Sequence, residues 1–347
     1  MRKVSLGRTG LEVSCLCLGT MTWGSQNDQD EAHAQIDLAC ERGVQFMDTA
    51  EMYPVAPVLA ETVGRTERII GNWFRDSGRR KDWIVATKMT GEGMKTVREG
   101  EPVCRDSLLR AVEGSLRRLR TDYIDIYQLH WPNRGSYHFR KNWAYDPSQQ
   151  DRAATLANME EVLETLDDLV KAGKIRHFGL SNETAWGMAQ WLRLAEEKSL
   201  PRAQTLQNEY SLLCRLYDTD LAELSVNENL PLLAYSPLAA GLLSGKYAGD
   251  VTPDGSRRSR SPELGGRITP RVWEAVSGYL AIAKAHGLDP VQMALAFVAS
   301  RPFPVIPIVG ATSTAQLETA LGAADLTLSP EIQAEIAAMH KAYPMPF

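Results

Sequence analysis

Long hydrophobic runs are missing from this chain. No uninterrupted apolar stretch approaches the roughly 18 to 20 residues that a membrane span needs. A basic excess is missing as well. Lys and Arg number 38 against 43 Asp and Glu, a formal net charge of −5, so nothing here would hold a polyanion and nucleic acid is not an expected partner. The five cysteines, at 15, 17, 40, 104 and 214, form no CxxC pair. An odd, scattered set suits reduced thiols in a cytoplasmic protein, and no metal is expected. The opening Met1-Arg2-Lys3-Val4-Ser5 carries no apolar signal core, which agrees with that location. The usual nucleotide fingerprints are absent too. No GxGxxG follows a strand, since Gly91-Glu92-Gly93-Met94-Lys95-Thr96 fails at its sixth position, and neither a Walker loop nor HExxH occurs. A dinucleotide, if bound, therefore lies across a barrel mouth rather than on a Rossmann unit.

What is present is a regular alternation. The 347 residues are 44% hydrophobic, enough for a large core, and their length suits one barrel with insertions. Val4-Ser5-Leu6 and Leu11-Glu12-Val13 flank Gly7-Arg8-Thr9-Gly10, a hairpin with turn chemistry at its tip. Strand-like runs follow at 16–19, 44–48, 83–88, 123–130, 175–180, 204–208, 232–236 and 305–309, the eight that a closed parallel barrel requires. Helical stripes separate them. Leu108, Val112, Leu116 and Leu119 recur at helical spacing behind a cap at Asp106 or Ser107, and Glu160–Lys171 carries a second stripe stopped by Gly173. Residues 131–155 and 246–270 break the rhythm as long loops at the face where barrels keep their chemistry. No domain boundary is visible, so residues 1–347 read as a single (β/α)8 barrel domain with an N-terminal hairpin.

Four chemically useful side chains end adjacent strands. Asp48 closes Val44-Gln45-Phe46-Met47-Asp48 with Tyr53 five residues on; Lys88 closes the 83–88 run and His130 the 123–130 run. Each alone has an ordinary structural role open to it, as cap, packing ring or solvated loop residue. Together they suit proton transfer to a carbonyl oxygen. A phenol ionises near ~10, an ammonium beside it lowers that value, and an imidazole can fix the carbonyl. No activated nucleophile for acyl transfer is evident.

The same residues carry a resemblance. Asp48-Thr49-Ala50-Glu51-Met52-Tyr53 resembles the D-T-A-x-x-Y signature of the aldo-keto reductase superfamily, and Gly19-Thr20-Met21-Thr22-Trp23-Gly24 resembles its first-strand loop. Leu116 to Asp125 leading to His130, Gly179-Leu180-Ser181-Asn182, Gln207-Asn208-Glu209-Tyr210, and Ala234-Tyr235-Ser236-Pro237-Leu238 with Gly241-Leu242-Leu243-Ser244-Gly245-Lys246-Tyr247 follow in the family's order. The Glu-Met-Tyr-Pro form and the extended loop after the fourth barrel strand resemble the bacterial Tas-like branch.

This resemblance implies an NADPH-dependent reduction of aldehydes or ketones to alcohols. It makes Tyr53 the general acid, lets Lys88 and Asp48 tune it, and has His130 position the carbonyl. Gly19, Thr20 and Met21 would border the cofactor. Ser181, Asn182 and Gln207 would hold the nicotinamide carboxamide, and Tyr235 would stack beneath the ring. Ser236, Pro237, Leu238, Gly241 and Ser244 would follow the pyrophosphate, and Gly310, Thr312 and Gln316 would border the adenosine end. Lys246 and one of Arg257, Arg258 or Arg260 would clasp a 2′-phosphate, favouring NADPH over NADH. The chain departs from the pattern in lacking an arginine within 310–317 and in carrying Ala320 where relatives place an adenine-contacting asparagine. Trp23 and Trp131, with Tyr137 and Phe139, would wall a pocket for small apolar or aromatic carbonyls. Two other readings stay open: a non-enzymatic cofactor sensor on the same fold, and a lyase or isomerase using Lys88 as a Schiff base.

Overall fold

A computed structural model describes residues 1–55 and 57–347. Lys3–Ser5 (β1) and Glu12–Ser14 (β2) pair antiparallel, displaced by one residue from the expected strands. The displacement frees Leu6, whose side chain has no exposed surface, to leave the ladder and turn into the barrel. Burying one such leucine stabilises by roughly 1.5–3 kcal/mol.

All eight expected barrel strands are present: Cys17–Gly19 (β3), Phe46–Asp48 (β4), Ile84–Met89 (β5), Ile124–Leu129 (β6), Ile175–Ser181 (β7), Ala203–Glu209 (β8), Leu232–Tyr235 (β9) and Val305–Val309 (β10). They close in the order β10-β3-β4-β5-β6-β7-β8-β9, every neighbour parallel. The fold is a (β/α)8 barrel with a small antiparallel hairpin at its N-terminal end.

Strand side chains alternate faces, so positions two apart share the lumen. Phe46, Ala86, Ile126, Leu233 and Ile306 form an apolar lower layer, closed from below by Leu6 and Val13 of the hairpin. Two residues further along the same strands stand Asp48, Lys88, Gln128 and Tyr235. The polar layer is a direct consequence of where each apolar run ends.

Two helix boundaries differ from expectation. The helix Arg105–Leu119 is capped at Cys104; Ser107 lies at the third helical position, where its hydroxyl accepts the Cys104 N–H at 3.0 Å. The following helix spans Arg152–Lys171 rather than starting near 160, because Asp151 caps it by accepting the Ala154 N–H at 3.0 Å. Its first turns are alanine-rich and largely solvent-facing, so no stripe of large apolar residues announces them. The loop after β6 accordingly ends at 151. Among the described residues, no helix is long and apolar enough to cross a membrane.

Candidate active site

The polar layer of the lumen is one connected network. Lys88 ends its strand fully buried, and its ammonium donates to Asp48 Oδ2 at 2.6 Å, to the Thr49 carbonyl at 2.7 Å and to the Tyr53 hydroxyl at 3.4 Å. Its three protons are therefore all used. The other Asp48 oxygen accepts from Gln128 Nε2 at 3.1 Å and Gln207 Nε2 at 2.8 Å. Thr20, with no exposed surface, donates its hydroxyl to the Asp48 carbonyl at 2.9 Å. Removing two charges from water costs several kcal/mol per ion. Nearly complete hydrogen bonding of both partners is what makes such a pair tenable.

Tyr53 reaches this pair from the loop after β4, its ring centroid 4.8 Å from the Lys88 nitrogen. The His130 ring lies edge-on at 6.1 Å from the Tyr53 ring and 5.0 Å from Trp131. The structure thus brings all four expected residues together at one end of the lumen. One electrostatic expectation is corrected. The Tyr53 phenol lies above its ordinary value, because burial outweighs the nearby ammonium and the Asp48 charge adds to the cost of a phenolate. Burial pulls Lys88 downward, but Asp48 and then Tyr53 more than offset it, leaving the ammonium above its ordinary value. Burial, followed by Lys88, holds His130 well below the usual histidine range, so its ring is neutral.

The remaining candidates occupy the arc formed by the ends of β7, β8, β9, β10 and β3. Ser181 donates to the Gln207 carbonyl at 2.9 Å, and Asn182, at φ +52°, donates to the His130 carbonyl at 2.9 Å and accepts from the Tyr235 hydroxyl at 2.8 Å. These bonds tie the nicotinamide candidates to His130. The Gln207 amide nitrogen is turned inward to Asp48. Ser236, Pro237, Leu238, Gly241 and Ser244 run along the turn after β9; Gly241 has φ +95°, and a Cβ there would meet Lys246 Cε at 2.8 Å. The positive φ is what favours glycine at this position. Lys246 is exposed and makes no ion pair among the described residues. Gly310 is exposed after β10, and Gln316 Oε1 accepts from the Thr312 hydroxyl at 3.0 Å. Met21 is half-buried, and Gly19 packs 2.8 Å, at its would-be Cβ, from Ile308.

The three arginines separate. Arg258 is committed to Asp250 at 2.5 Å and to the Val251 carbonyl, and Arg260 is exposed. Arg257 is half-buried, its enclosed Nε without a partner among the described residues, and burial followed by Arg267 pushes its guanidinium down to about 10. Trp23 corrects another expectation. It has no exposed surface and donates its indole N–H to Gln35 at 3.1 Å, so it packs under the helix Gln29–Glu41 and does not wall an open pocket. Trp131 is half-buried and borders a cavity of about 530 Å³ beneath the 131–151 loop, together with Leu129, Ser181, Met159 and Trp191.

Several residues of the site were not singled out in the sequence. Gln128 and Glu209 lie on the lumen parity of their strands, two residues beyond Ile126 and Gln207, and that alternation was the available signal. Arg140, Arg267 and the Arg134–Glu183 pair gave none, because their partners are distant in the chain.

The Aldo/keto reductase family model matches residues 15–341. Protein tas of Escherichia coli (strain K12) is 44% identical over 345 residues, 97% of this chain and 97% of the relative. The uncharacterized oxidoreductase YrpG of Bacillus subtilis (strain 168) is 32% identical over 336 residues, 96% and 94% of the two chains. A probable voltage-gated potassium channel subunit beta of Oryza sativa subsp. japonica is 31% identical over 352 residues, 99% and 98%.

Proposed function

The chain belongs to the aldo/keto reductase family, and from that premise we propose that it reduces small aldehydes or ketones to alcohols with NADPH. The observation that carries this reading is the Lys88 ammonium, bonded at once to Asp48 and to the Tyr53 hydroxyl at the end of the lumen. The arc from β7 to β3 fits a dinucleotide: among the described residues, Lys246 is a cation without a carboxylate and Arg257 holds an enclosed nitrogen without a partner, and Gly241 permits close approach of the backbone. When bound, the cofactor supplies a hydride to the carbonyl carbon.

The protein's own part is to hold the carbonyl and deliver a proton. The enclosed Nδ1 of His130 meets no partner, so the neutral ring keeps its proton on Nε2 and donates from there to the carbonyl oxygen. Tyr53 donates the second hydrogen bond and then its proton as charge develops on that oxygen. A raised phenol keeps the acid protonated at working pH, and Lys88 steadies the phenolate left behind. Asp48 and the two glutamines fix Lys88 for this task. Lys246 and Arg257 favour NADPH over NADH, and Trp131 with the adjoining cavity receives the rest of the substrate.

The test is oxidation of NADPH with an activated aromatic aldehyde by the native protein and by Tyr53→Phe. The variant should lose a factor of about 10²–10⁴ in kcat with unchanged NADPH affinity. Retained turnover would remove Tyr53 as the acid. Bound NADPH without turnover in the native protein would favour the sensor reading instead.

A further inference from the structure

Glu209 stands one lumen layer above Gln207, at the end of β8, and two arginines from two different loops converge on it. Arg267, on the loop after β9, donates to Oε1 through Nε at 2.9 Å and Nη2 at 2.6 Å. Arg140, on the loop after β6, donates to Oε2 through Nη1 at 2.7 Å. Both carboxylate oxygens are thereby taken, and the side chains are 7%, 5% and 15% exposed for Glu209, Arg267 and Arg140. Burial pushes the carboxyl upward, but Arg267 and then Arg140 more than offset it, so Glu209 is charged at neutral pH.

The two loops also touch directly. A Cβ at Gly266, whose φ is +81°, would come within 3.3 Å of Arg140 Cδ, so the absent side chain is the space that Arg140 occupies. Phe139 and Arg140 themselves sit at φ +59° and +63°, and Leu264 at +45°. Residues other than glycine rarely hold that conformation unless surrounding contacts fix it. Arg267 further reaches the Leu264 carbonyl at 2.7 Å and the Ser236 hydroxyl at 3.4 Å, at the start of the turn assigned to the cofactor. Trp131 and Phe139, on the other loop, meet edge-to-face at 6.1 Å beside His130.

We propose that Glu209 is a positioning residue that couples the substrate-side loop (131–151) to the cofactor-side loop (236–270). The assignment of the two loops rests on the function proposed above. Opening the cofactor-side loop withdraws Arg267 from Glu209 and uncovers Gly266, which loosens the hold on Arg140. Conversely, a substrate seated against Trp131 and Phe139 steadies Arg140 and slows dinucleotide release. Such coupling is reciprocal in binding free energy.

The experiment measures dinucleotide release by stopped-flow fluorescence for the native protein, Arg140→Met, Arg140→Lys, Glu209→Gln and the Arg140→Met/Glu209→Gln double variant. Amide hydrogen exchange across 246–266 is followed in the same proteins without nucleotide. Arg140→Met changes the loop opposite the cofactor, yet release should quicken by about tenfold, the ratio expected for loss of one hydrogen bond to a charged group. Exchange in 246–266 should quicken with it, Arg140→Lys should recover part of both effects, and the double variant should be no faster than Glu209→Gln. Unchanged release and exchange in Arg140→Met, or effects that add in the double variant, would overturn the coupling. A native protein that binds no dinucleotide would sink the proposed function, and the exchange data would still decide whether the loops are linked.

Discussion

Replacing Lys88 with methionine should expose how the polar layer of the lumen is held together. The substitution keeps the length of the side chain and removes the charge. Asp48 would then remain buried with Gln128 and Gln207 on one oxygen and without its partner at 2.6 Å on the other, while the Thr49 carbonyl would lose its donor. Removing one member of a buried ion pair typically costs about 3–5 kcal/mol. Asp48→Asn should cost less, because burial is already the largest influence on Lys88 and, without the carboxylate, discharges the amine. The double variant leaves two neutral groups and should recover at least about 2 kcal/mol relative to the sum of the singles, toward the upper end of measured coupling energies for contacting pairs. Urea unfolding at pH 7, followed by fluorescence of the eight tryptophans, measures all four proteins. Additivity within about 0.5 kcal/mol would refute the account of Asp48 and Lys88 as mutually dependent charges. Turnover should be lost in Lys88→Met and should not return in the double variant, which separates restored stability from restored chemistry.

Two more expectations follow from the charges in place. Lys246→Ala should weaken NADPH by about tenfold more than NADH, a difference of ~1.4 kcal/mol; equal losses in fluorescence titrations with both nucleotides would remove Lys246 from the 2′-phosphate. His130 lies well below its ordinary value and His138, enclosed beside Tyr137, is pushed down to about 3, in both cases chiefly by burial. Between about pH 6.5 and the folded values, the unfolded chain binds protons that the fold refuses, so stability should fall with falling pH by up to ~1.4 kcal/mol per unit for each histidine. A urea midpoint that stays constant from pH 7.5 to 5 would contradict this.

The barrel was legible because each strand is a short apolar run with a polar or turn-forming end, and all eight runs lie where strands form. The four candidate residues were legible for a related reason: Asp48, Lys88 and His130 stand where strand-like runs stop, and Tyr53 follows Asp48 by five residues. Glu209 lay within a recognised motif and on the right parity, but a carboxylate two residues past Gln207 shows its meaning only once Arg140 and Arg267 arrive, 69 and 58 residues away in the chain. Loop conformations are set by such distant partners, which local pattern does not contain. Trp23 failed differently. Nearness to a strand end does not say which side of the barrel wall a side chain takes, and the indole went outward to Gln35. The early start of the helix Arg152–Lys171 was hidden because its first turns bury little, so only the cap at Asp151 marks it.

The hairpin beneath the barrel gives the lumen a floor. With Leu6 and Val13 sealing it, the interior is a blind well, and water, protons and ligands share one doorway. The Asp48–Lys88 pair above that floor is already enclosed, its side chains 3% and 0% exposed. Hydrogens on the Lys88 ammonium therefore meet bulk water only when the rim moves, since none of that side chain reaches solvent.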